Sequence, residues 1–308
     1  MKVLITDNVH PIMLTDFENS GYECDLQPEL TNEDIYNCIE SYDGIIINSK
    51  TKMFQKVLDK AINLKFIGRL GSGMEIIDVP YAESKGIKCF SVPEANCDAV
   101  GEHAIGMLLS LFNKLSRADA EVKDFKWNRE KNRGIELGGK TVAIIGYGHT
   151  GKAFAKKLSG FDVKILAYDK YLKNYSDDYV EESTMQNIYD NADIVSFHLP
   201  LTIETNELCD ENYINQFKKE LFIVNTSRGS VIKLKEIIFL LKSKKIKGMC
   251  LDVFENEKTA TYTLKEKELY TKLYSYDSVI LSPHVAGWTV ESKFKIAKYL
   301  TKKILDAF

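Results

Sequence analysis

Residues 139–169, GKTVAIIGYGHTGKAFAKKLSGFDVKILAYD, decide the fold. Val142-Ala143-Ile144-Ile145 is too short a run for a helix and rich in β-branched residues, so it reads as a strand. It ends at Gly146-Tyr147-Gly148-His149-Thr150-Gly151 and leads into an Ala/Lys-rich helical pattern. In a strand, glycine turn and helix of this spacing, Gly146 permits the tight turn and Gly148 lets the backbone approach a pyrophosphate. Gly151 lets the helix pack closely on the strand, and the unpaired N–H groups at the helix start, near His149 and Thr150, face the phosphates. A second strand, Val163 to Tyr168, ends in Asp169, 18 residues beyond Gly151. A carboxylate there accepts hydrogen bonds from the adenosine ribose hydroxyls and repels a 2′-phosphate, so NAD is the expected cofactor rather than NADP. G-x-G-x-x-G alone is also met in turns that bind nothing; strand before, helix after and acid at the end of the next strand favour a dinucleotide.

At 308 residues the chain has room for two domains, each with its own core. The net charge of −3 offers no basic footprint, so neither nucleic acid nor an anionic membrane is an expected partner. Six cysteines are scattered without C-x-x-C spacing, which reads as free thiols in a reducing cytoplasm, with no metal site expected. The amino terminus, Met1-Lys2-Val3-Leu4-Ile5-Thr6-Asp7, is charged within seven residues and reads as a strand, not as a signal peptide. No apolar stretch approaches the roughly 18 residues of a spanning helix.

Outward from the glycine turn, the first hundred residues alternate short apolar runs with helical patterns. Strands are expected at Lys2 to Thr6, Tyr22 to Leu26, Gly44 to Ser49, Phe66 to Leu70 and Lys88 to Val92. Helices are expected near Pro11 to Glu18, Asn32 to Ser41 and Phe54 to Ile62, the second capped by Thr31. This alternation implies a parallel sheet covered on both faces, a doubly wound domain of its own. From Asn96 to Val122 the spacing predicts one long helix bridging to the second domain, followed by a polar surface loop to Gly139. Further strands are expected at Ile194 to His198, Leu221 to Thr226, Met249 to Val253 and Val279 to Ser282. A last helix, Val290 to Phe308, finds no obvious place in the second domain and is expected to return to the first.

Ligands of doubly wound folds bind beyond the carboxyl ends of the strands. Three constellations stand there: Asn225-Thr226-Ser227-Arg228-Gly229, Asp252-Val253-Phe254-Glu255-Asn256-Glu257 and Ser282-Pro283-His284-Val285-Ala286-Gly287-Trp288. With Gly71-Ser72-Gly73, Ile77-Asp78, Gly101-Glu102-His103, the Gly146 loop and His198-Leu199-Pro200-Leu201-Thr202, they occur in an order that resembles the D-isomer-specific 2-hydroxyacid dehydrogenase family, nearest to its phosphoglycerate dehydrogenase branch. The resemblance implies an α/β architecture of two doubly wound parallel-sheet domains, a Rossmann NAD domain (98–288) inserted into a flavodoxin-like substrate domain (1–97), with 289–308 as the returning helix. It implies NAD-dependent interconversion of a D-2-hydroxy acid and its 2-oxo acid, with Arg228, Glu257 and His284 as the catalytic set. Glu257 is preferred to Glu255 because the family glutamate lies five residues after the aspartate of its D-V-F motif; the family's following proline is Lys258 here.

The residue types suit these roles. Arg228 offers a planar, permanently charged fork for a carboxylate and the adjacent 2-oxo group. His284 can give and take a proton near neutrality, and Glu257 on its other ring nitrogen would fix the tautomer. By resemblance, Asp252 binds the nicotinamide carboxamide, and Ser72, His149, Thr150, Leu199, Thr226 and Ser227 complete the NAD site with Gly146, Gly148, Gly151 and Asp169. Ser72 and Gly73, with Asn48 and Ser49, would meet the substrate. His103 and His198 read as structural, and the lysines between Lys233 and Lys247 as a solvated helix face.

Substrate identity is the open point. The phosphoglycerate branch usually carries an arginine for the substrate phosphate where Asn48 stands, and Lys50 or Lys52 are the nearby cations. D-3-phosphoglycerate oxidation in serine biosynthesis therefore competes with hydroxypyruvate, glyoxylate or D-lactate-type reduction. The chain ends at Phe308, so serine feedback through a carboxy-terminal regulatory domain is not expected. A homodimer is implied by the family, and an NAD(H)-sensing, corepressor-like binding protein is the alternative of another class. Formate dehydrogenase shares the fold but usually carries glutamine where Glu257 stands.

Overall fold

Strands separated by helices pair in parallel, because each helical connection carries the chain back to the same end of the sheet. The computed structural model describes residues 1–308, which form two compact units: Met1–Asn96 with Trp288–Phe308, and Cys97–Gly287. The first unit contains β1 (Lys2–Ile5), α1 (Ile12–Asn19), β2 (Glu23–Leu26), α2 (Asn32–Cys38), β3 (Gly44–Ile47), α3 (Gln55–Lys60), β4 (Phe66–Arg69), α4 (Val79–Ser84) and β5 (Lys88–Phe90). Its five strands are all parallel, in the flavodoxin-like order β2-β1-β3-β4-β5. Ile45, Ile46 and Ile47 of β3 are all fully buried, as a strand covered on both faces requires. Thr31 caps α2 reciprocally: its hydroxyl accepts the Asp34 N–H at 3.2 Å while the Asp34 carboxylate accepts the Thr31 N–H at 2.9 Å. Helix α4 lacks an apolar period long enough to read from sequence; Asp78 as N-cap, accepting the Tyr81 N–H, and Pro80 in the first turn start it.

The second unit contains α5 (Cys97–Phe112), α6 (Leu115–Lys123), β6 (Thr141–Ile145), α7 (His149–Leu158), β7 (Lys164–Tyr168), β8 (Val180–Glu182), α8 (Met185–Asn191), β9 (Ile194–Phe197), α9 (Glu211–Asn215), β10 (Leu221–Asn225), α10 (Leu234–Lys242), β11 (Ile246–Leu251), α11 (Leu264–Tyr274) and β12 (Val279–Leu281). Its sheet runs β12-β11-β10-β9-β6-β7-β8, the Rossmann order extended by one strand, with the strand order reversing between β6 and β9. The long helix expected from Asn96 to Val122 is two helices, broken at Lys114, which has φ 52°. The cause is tertiary: Ile135 donates its N–H to the Phe112 carbonyl at 3.1 Å, taking the acceptor that the Ser116 N–H would need for the helix to continue. A side chain at Gly134 would come within 2.9 Å of that carbonyl, so glycine permits the approach. Edge strand β8 is acidic at two of its three residues and carries no strand pattern in the sequence.

The last helix, α12 (Val290–Leu305), belongs to the first unit, where Ala297, Leu300 and Ile304 join a core of Val3, Ile5, Met13, Phe17 and Phe66. Lys298 pairs with Asp16 of α1 at 2.9 Å. No helix is long and apolar enough to cross a membrane.

Candidate active site

Strands β10, β11 and β12 lie side by side in register, Asn225 beside Leu251 and Leu251 beside Leu281. Parallel neighbours sit about 4.8 Å apart, so the loops leaving their C-terminal ends start within reach of one another. Arg228 lies on the first of these loops, Glu257 on the second and His284 on the third. His284 Nδ1 is 2.9 Å from Glu257 Oε2. A carboxylate only accepts, so Nδ1 carries the hydrogen and Nε2 is left for chemistry. The two side chains are 47% and 42% exposed, which leaves the pair open to a small molecule. Burial pushes the Glu257 carboxyl up, but the His284 hydrogen bond and charge, a Phe254 N–H and the Arg228 charge outweigh it and hold the pKa below the ordinary glutamate value.

A buried carboxylate shapes the loop that carries His284. Asp252, with its side chain 1% exposed, accepts the Val285 and Ala286 N–H groups at 2.9 Å each and the Ser282 hydroxyl at 2.6 Å. Its own carbonyl accepts the His284 N–H at 2.7 Å. His284 has φ 57°, a left-handed conformation that costs a residue with a side chain about 1 kcal/mol, and these bonds hold it there. Ser282 Oγ also lies 2.8 Å from His103 Nε2, so His103 on α5 supports the same loop. Glu255 is committed elsewhere: its Oε1 accepts the Leu234 N–H at the start of α10, and burial raises its pKa.

On the other side of the strand-order reversal, the turn after β6 is shaped by backbone. Gly146 has φ 93°, and a Cβ there would stand 2.4 Å from the His198 carbonyl oxygen and 3.0 Å from Leu199 Cδ2. A Cβ at Gly151 would stand 2.2 Å from the Gly146 oxygen, so helix and strand touch through glycine alone. Gly148, the N-cap of α7, has open space before it and brings no side chain to the first-turn N–H groups; His149 is exposed. Asp169, at the end of β7, accepts N–H groups from Tyr147 at 2.8 Å, Tyr171 at 2.9 Å and Leu172 at 3.0 Å. Burial raises its pKa, but these bonds and the Lys152 charge outweigh it, and the net direction is down. His198 is buried beside Phe154, and burial pushes its pKa down to about 3, so it is a neutral structural histidine. Its Nε2 is 2.8 Å from the Ser196 hydroxyl. Thr226 is buried, and its hydroxyl has no hydrogen-bond partner within the protein.

In the first unit, Asn48 and Ser49 follow β3, and Gly71, Ser72 and Gly73 follow β4. Ser72 Oγ is 3.1 Å from Asn96 Oδ1, and Gly71 has φ 146°. The Lys50 ammonium donates to the Pro28 carbonyl. Arg69, the last residue of β4, donates to the Leu70 carbonyl beside the glycine turn.

Residues 105–286 match the family model of the D-isomer specific 2-hydroxyacid dehydrogenase, NAD binding domain. The chain belongs to this family. It is 34% identical over 275 residues to the hydroxypyruvate reductase of Thermotoga maritima, covering 89% of this chain and 88% of that protein. It is 34% identical over 300 residues to the D-3-phosphoglycerate dehydrogenase of Methanocaldococcus jannaschii, covering 95% of this chain but only 55% of that protein. The chain thus spans about half the length of several phosphoglycerate dehydrogenases it matches, 57% in Archaeoglobus fulgidus. Its backbone is similar to that of Aquifex aeolicus D-lactate dehydrogenase solved with NAD and lactic acid, with a TM-score of 0.84, 23% identity and coverage of 99% and 94% of the two chains.

As a family member the chain takes NAD, and the groups present fit it: two glycines where any side chain would strike backbone, open space at Gly148, an orphaned Thr226 hydroxyl and the Asp169 carboxylate. The second unit brings Arg228, Glu257 and His284 to neighbouring loops of one sheet edge. His103, read as structural, and Ser282, named in the third constellation, together buttress Asp252, a contact that no local pattern signals. Sequence reading passed over Arg69, although it repeats the pattern that singled out Arg228: a cation where an apolar strand meets a glycine turn.

Proposed function

We propose that this protein is an NAD-dependent oxidoreductase that interconverts a small D-2-hydroxy acid and its 2-oxo acid. The observation that carries the reading is the 2.9 Å Glu257–His284 pair on the loops next to Arg228. Bound NADH supplies the hydride for C2 of the oxo acid, and NAD takes it back in the reverse direction. Arg228 holds the substrate carboxylate and polarises the 2-oxo group through its planar fork. His284 delivers the proton from Nε2 to the carbonyl oxygen during reduction and removes it during oxidation. Glu257 holds Nδ1–H and stabilises the imidazolium.

Gly146, Gly148, His149, Thr150, Gly151, Asp169, Leu199, Thr226 and Ser227 are the residues assigned to the cofactor, with Asp252 assigned to the nicotinamide carboxamide on the family resemblance. Ser72 is assigned to it on the family resemblance alone. Asn48, Ser49, Ser72 and Gly73 are assigned to substrate on the same ground. An uncharged Asn48 and a Lys50 ammonium already bonded to the Pro28 carbonyl favour a small acid without phosphate. A second reading is oxidation of D-3-phosphoglycerate in serine biosynthesis, with Arg69, whose guanidinium donates to the Leu70 carbonyl through one of its five N–H groups, as the planar cation that Asn48 does not supply. A homodimer and a cytoplasmic location complete the reading, the first open to a sizing column.

The test is a panel: glyoxylate, pyruvate, hydroxypyruvate and 2-oxoglutarate with NADH, 3-phosphoglycerate with NAD, each beside Arg228→Ala. Turnover that Arg228→Ala reduces by about 100-fold or more supports the reading. NADH binding without turnover of any acid would favour an NAD(H)-sensing binding protein instead.

A further inference from the structure

Arg228 sits on a turn that one side chain brackets. Asn225, the last residue of β10, is fully buried. Its Oδ1 accepts both the Ser227 N–H, at 3.0 Å, and the Ser227 hydroxyl, at 2.7 Å. Its Nδ2 donates to the Arg228 carbonyl at 2.9 Å. The partners settle the orientation of the amide, because a backbone N–H only donates and a carbonyl only accepts. Three hydrogen bonds thus hold the residue before Arg228 and the peptide after it, while the Asn225 carbonyl accepts the Asp252 N–H at 3.0 Å and ties the turn to β11.

The bracketed turn then lies on the loop that carries Glu257. A Cβ at Gly229 would stand 1.9 Å from the carbonyl carbon of Phe254 and 2.5 Å from the Glu255 nitrogen, so the two backbones are in direct contact. The position of the Arg228 backbone relative to Glu257 is therefore set by the Asn225 amide on one side and by the bare Gly229 Cα on the other. Only an amide of this length accepts twice and donates once here; aspartate would turn an oxygen toward the Arg228 carbonyl, and alanine would leave all three partners unmet.

We propose that Asn225 is a positioning residue for the reaction: it acts through Arg228, fixing where the guanidinium stands relative to the Glu257–His284 pair. This rests on the dehydrogenase reading above. The experiment uses the full chain and the panel acid that is turned over fastest. Asn225→Asp and Asn225→Ala are each made alone and in an Arg228→Ala background, with kcat and KM for the acid measured beside NADH affinity by fluorescence and thermal stability.

The expected result is a fall in kcat/KM of about 30- to 100-fold for Asn225→Asp, with a raised KM for the acid and NADH affinity within about twofold of wild type. In the Arg228→Ala background the same substitution should cost less than about threefold, since the residue it acts through is gone. Losses that multiply in the double variant would overturn the proposal. So would loss of NADH binding together with activity in Asn225→Asp, because the amide would then hold the domain rather than the arginine. An active wild type with Asn225→Asp at parity overturns this inference alone, whereas a wild type that turns over no acid overturns the dehydrogenase reading and the inference with it.

Discussion

The C-terminal edge of the second unit's sheet is built in two different ways. After β6 the turn is shaped chiefly by what is missing, since side chains at Gly146 and Gly151 would strike the backbone at 2.4 and 2.2 Å, with the Asp169 carboxylate of β7 accepting the Tyr147 N–H beside it. Around β10, β11 and β12 the turns are shaped by buried polar side chains, Asn225 under Arg228 and Asp252 under His284, each making three hydrogen bonds from its side chain. A turn made by absent side chains presents backbone N–H groups, which suits a pyrophosphate. A turn held by a polar bracket can fix a reactive side chain in a conformation that the residue would not otherwise choose, as the left-handed His284 illustrates.

The sharpest test of this division is His284→Asn. Removing the proton carrier should lower kcat by about 100- to 10,000-fold while NADH binding, assigned largely to the other half of the edge, stays near wild type. Comparable losses in both would break the division.

Next in size is a matched pair of carboxylates, each accepting three hydrogen bonds at one end of the edge. Asp252→Ala leaves the Val285 and Ala286 N–H groups unmet beside a fully buried position, while the Ser282 hydroxyl keeps His103, and should cost about 3 kcal/mol in urea denaturation. Asp169→Ala also frees three N–H groups, but the side chain is half-buried and water can replace it, so about 1 kcal/mol is expected. Equal costs would mean that burial does not separate the two ends.

Gly151→Ala tests the backbone-built half directly. The added methyl has only 2.2 Å to the Gly146 oxygen, so α7 must shift, weakening NADH by about 10- to 100-fold in a fluorescence titration. Unchanged affinity would remove the close approach from the argument.

The last effect is a slope with pH rather than a single loss. Burial lowers His198 from 6.5 to about 3 in the folded chain. Between those values the unfolded chain binds the proton and the folded chain does not, so the histidine's stabilising contribution is present above pH 6.5 and lost as pH falls toward 3. Stability should fall by about 1.4 kcal/mol per pH unit from this group. His198→Gln should flatten the slope in urea melts between pH 6.5 and 4.5; an unaltered slope would place the acid sensitivity elsewhere.

The same division explains what could be read in advance. The glycine spacing, the β-branched strands and the Thr31 cap are local patterns, and the parallel sheets follow from them. The break at Lys114 was hidden because its cause, the Ile135 N–H on the Phe112 carbonyl, lies 23 residues away along the chain. The contact of Ser282 with His103 was hidden for the same reason, the two being 179 residues apart. The edge strand β8 was hidden because a strand paired on one side tolerates acidic residues that a central strand does not.

By itself the amino-acid order determined the two doubly wound sheets, the dinucleotide turn and the residue types able to handle a carboxylate and a proton. Periodicity and glycine spacing act over a few residues and need no partner from afar. Tertiary structure alone decided that Glu255 turns to the start of α10, that His284 adopts a left-handed backbone and that Ser282 joins Asp252 to His103. Each of those outcomes depends on a hydrogen bond or an apolar contact between segments that only the folded chain brings together.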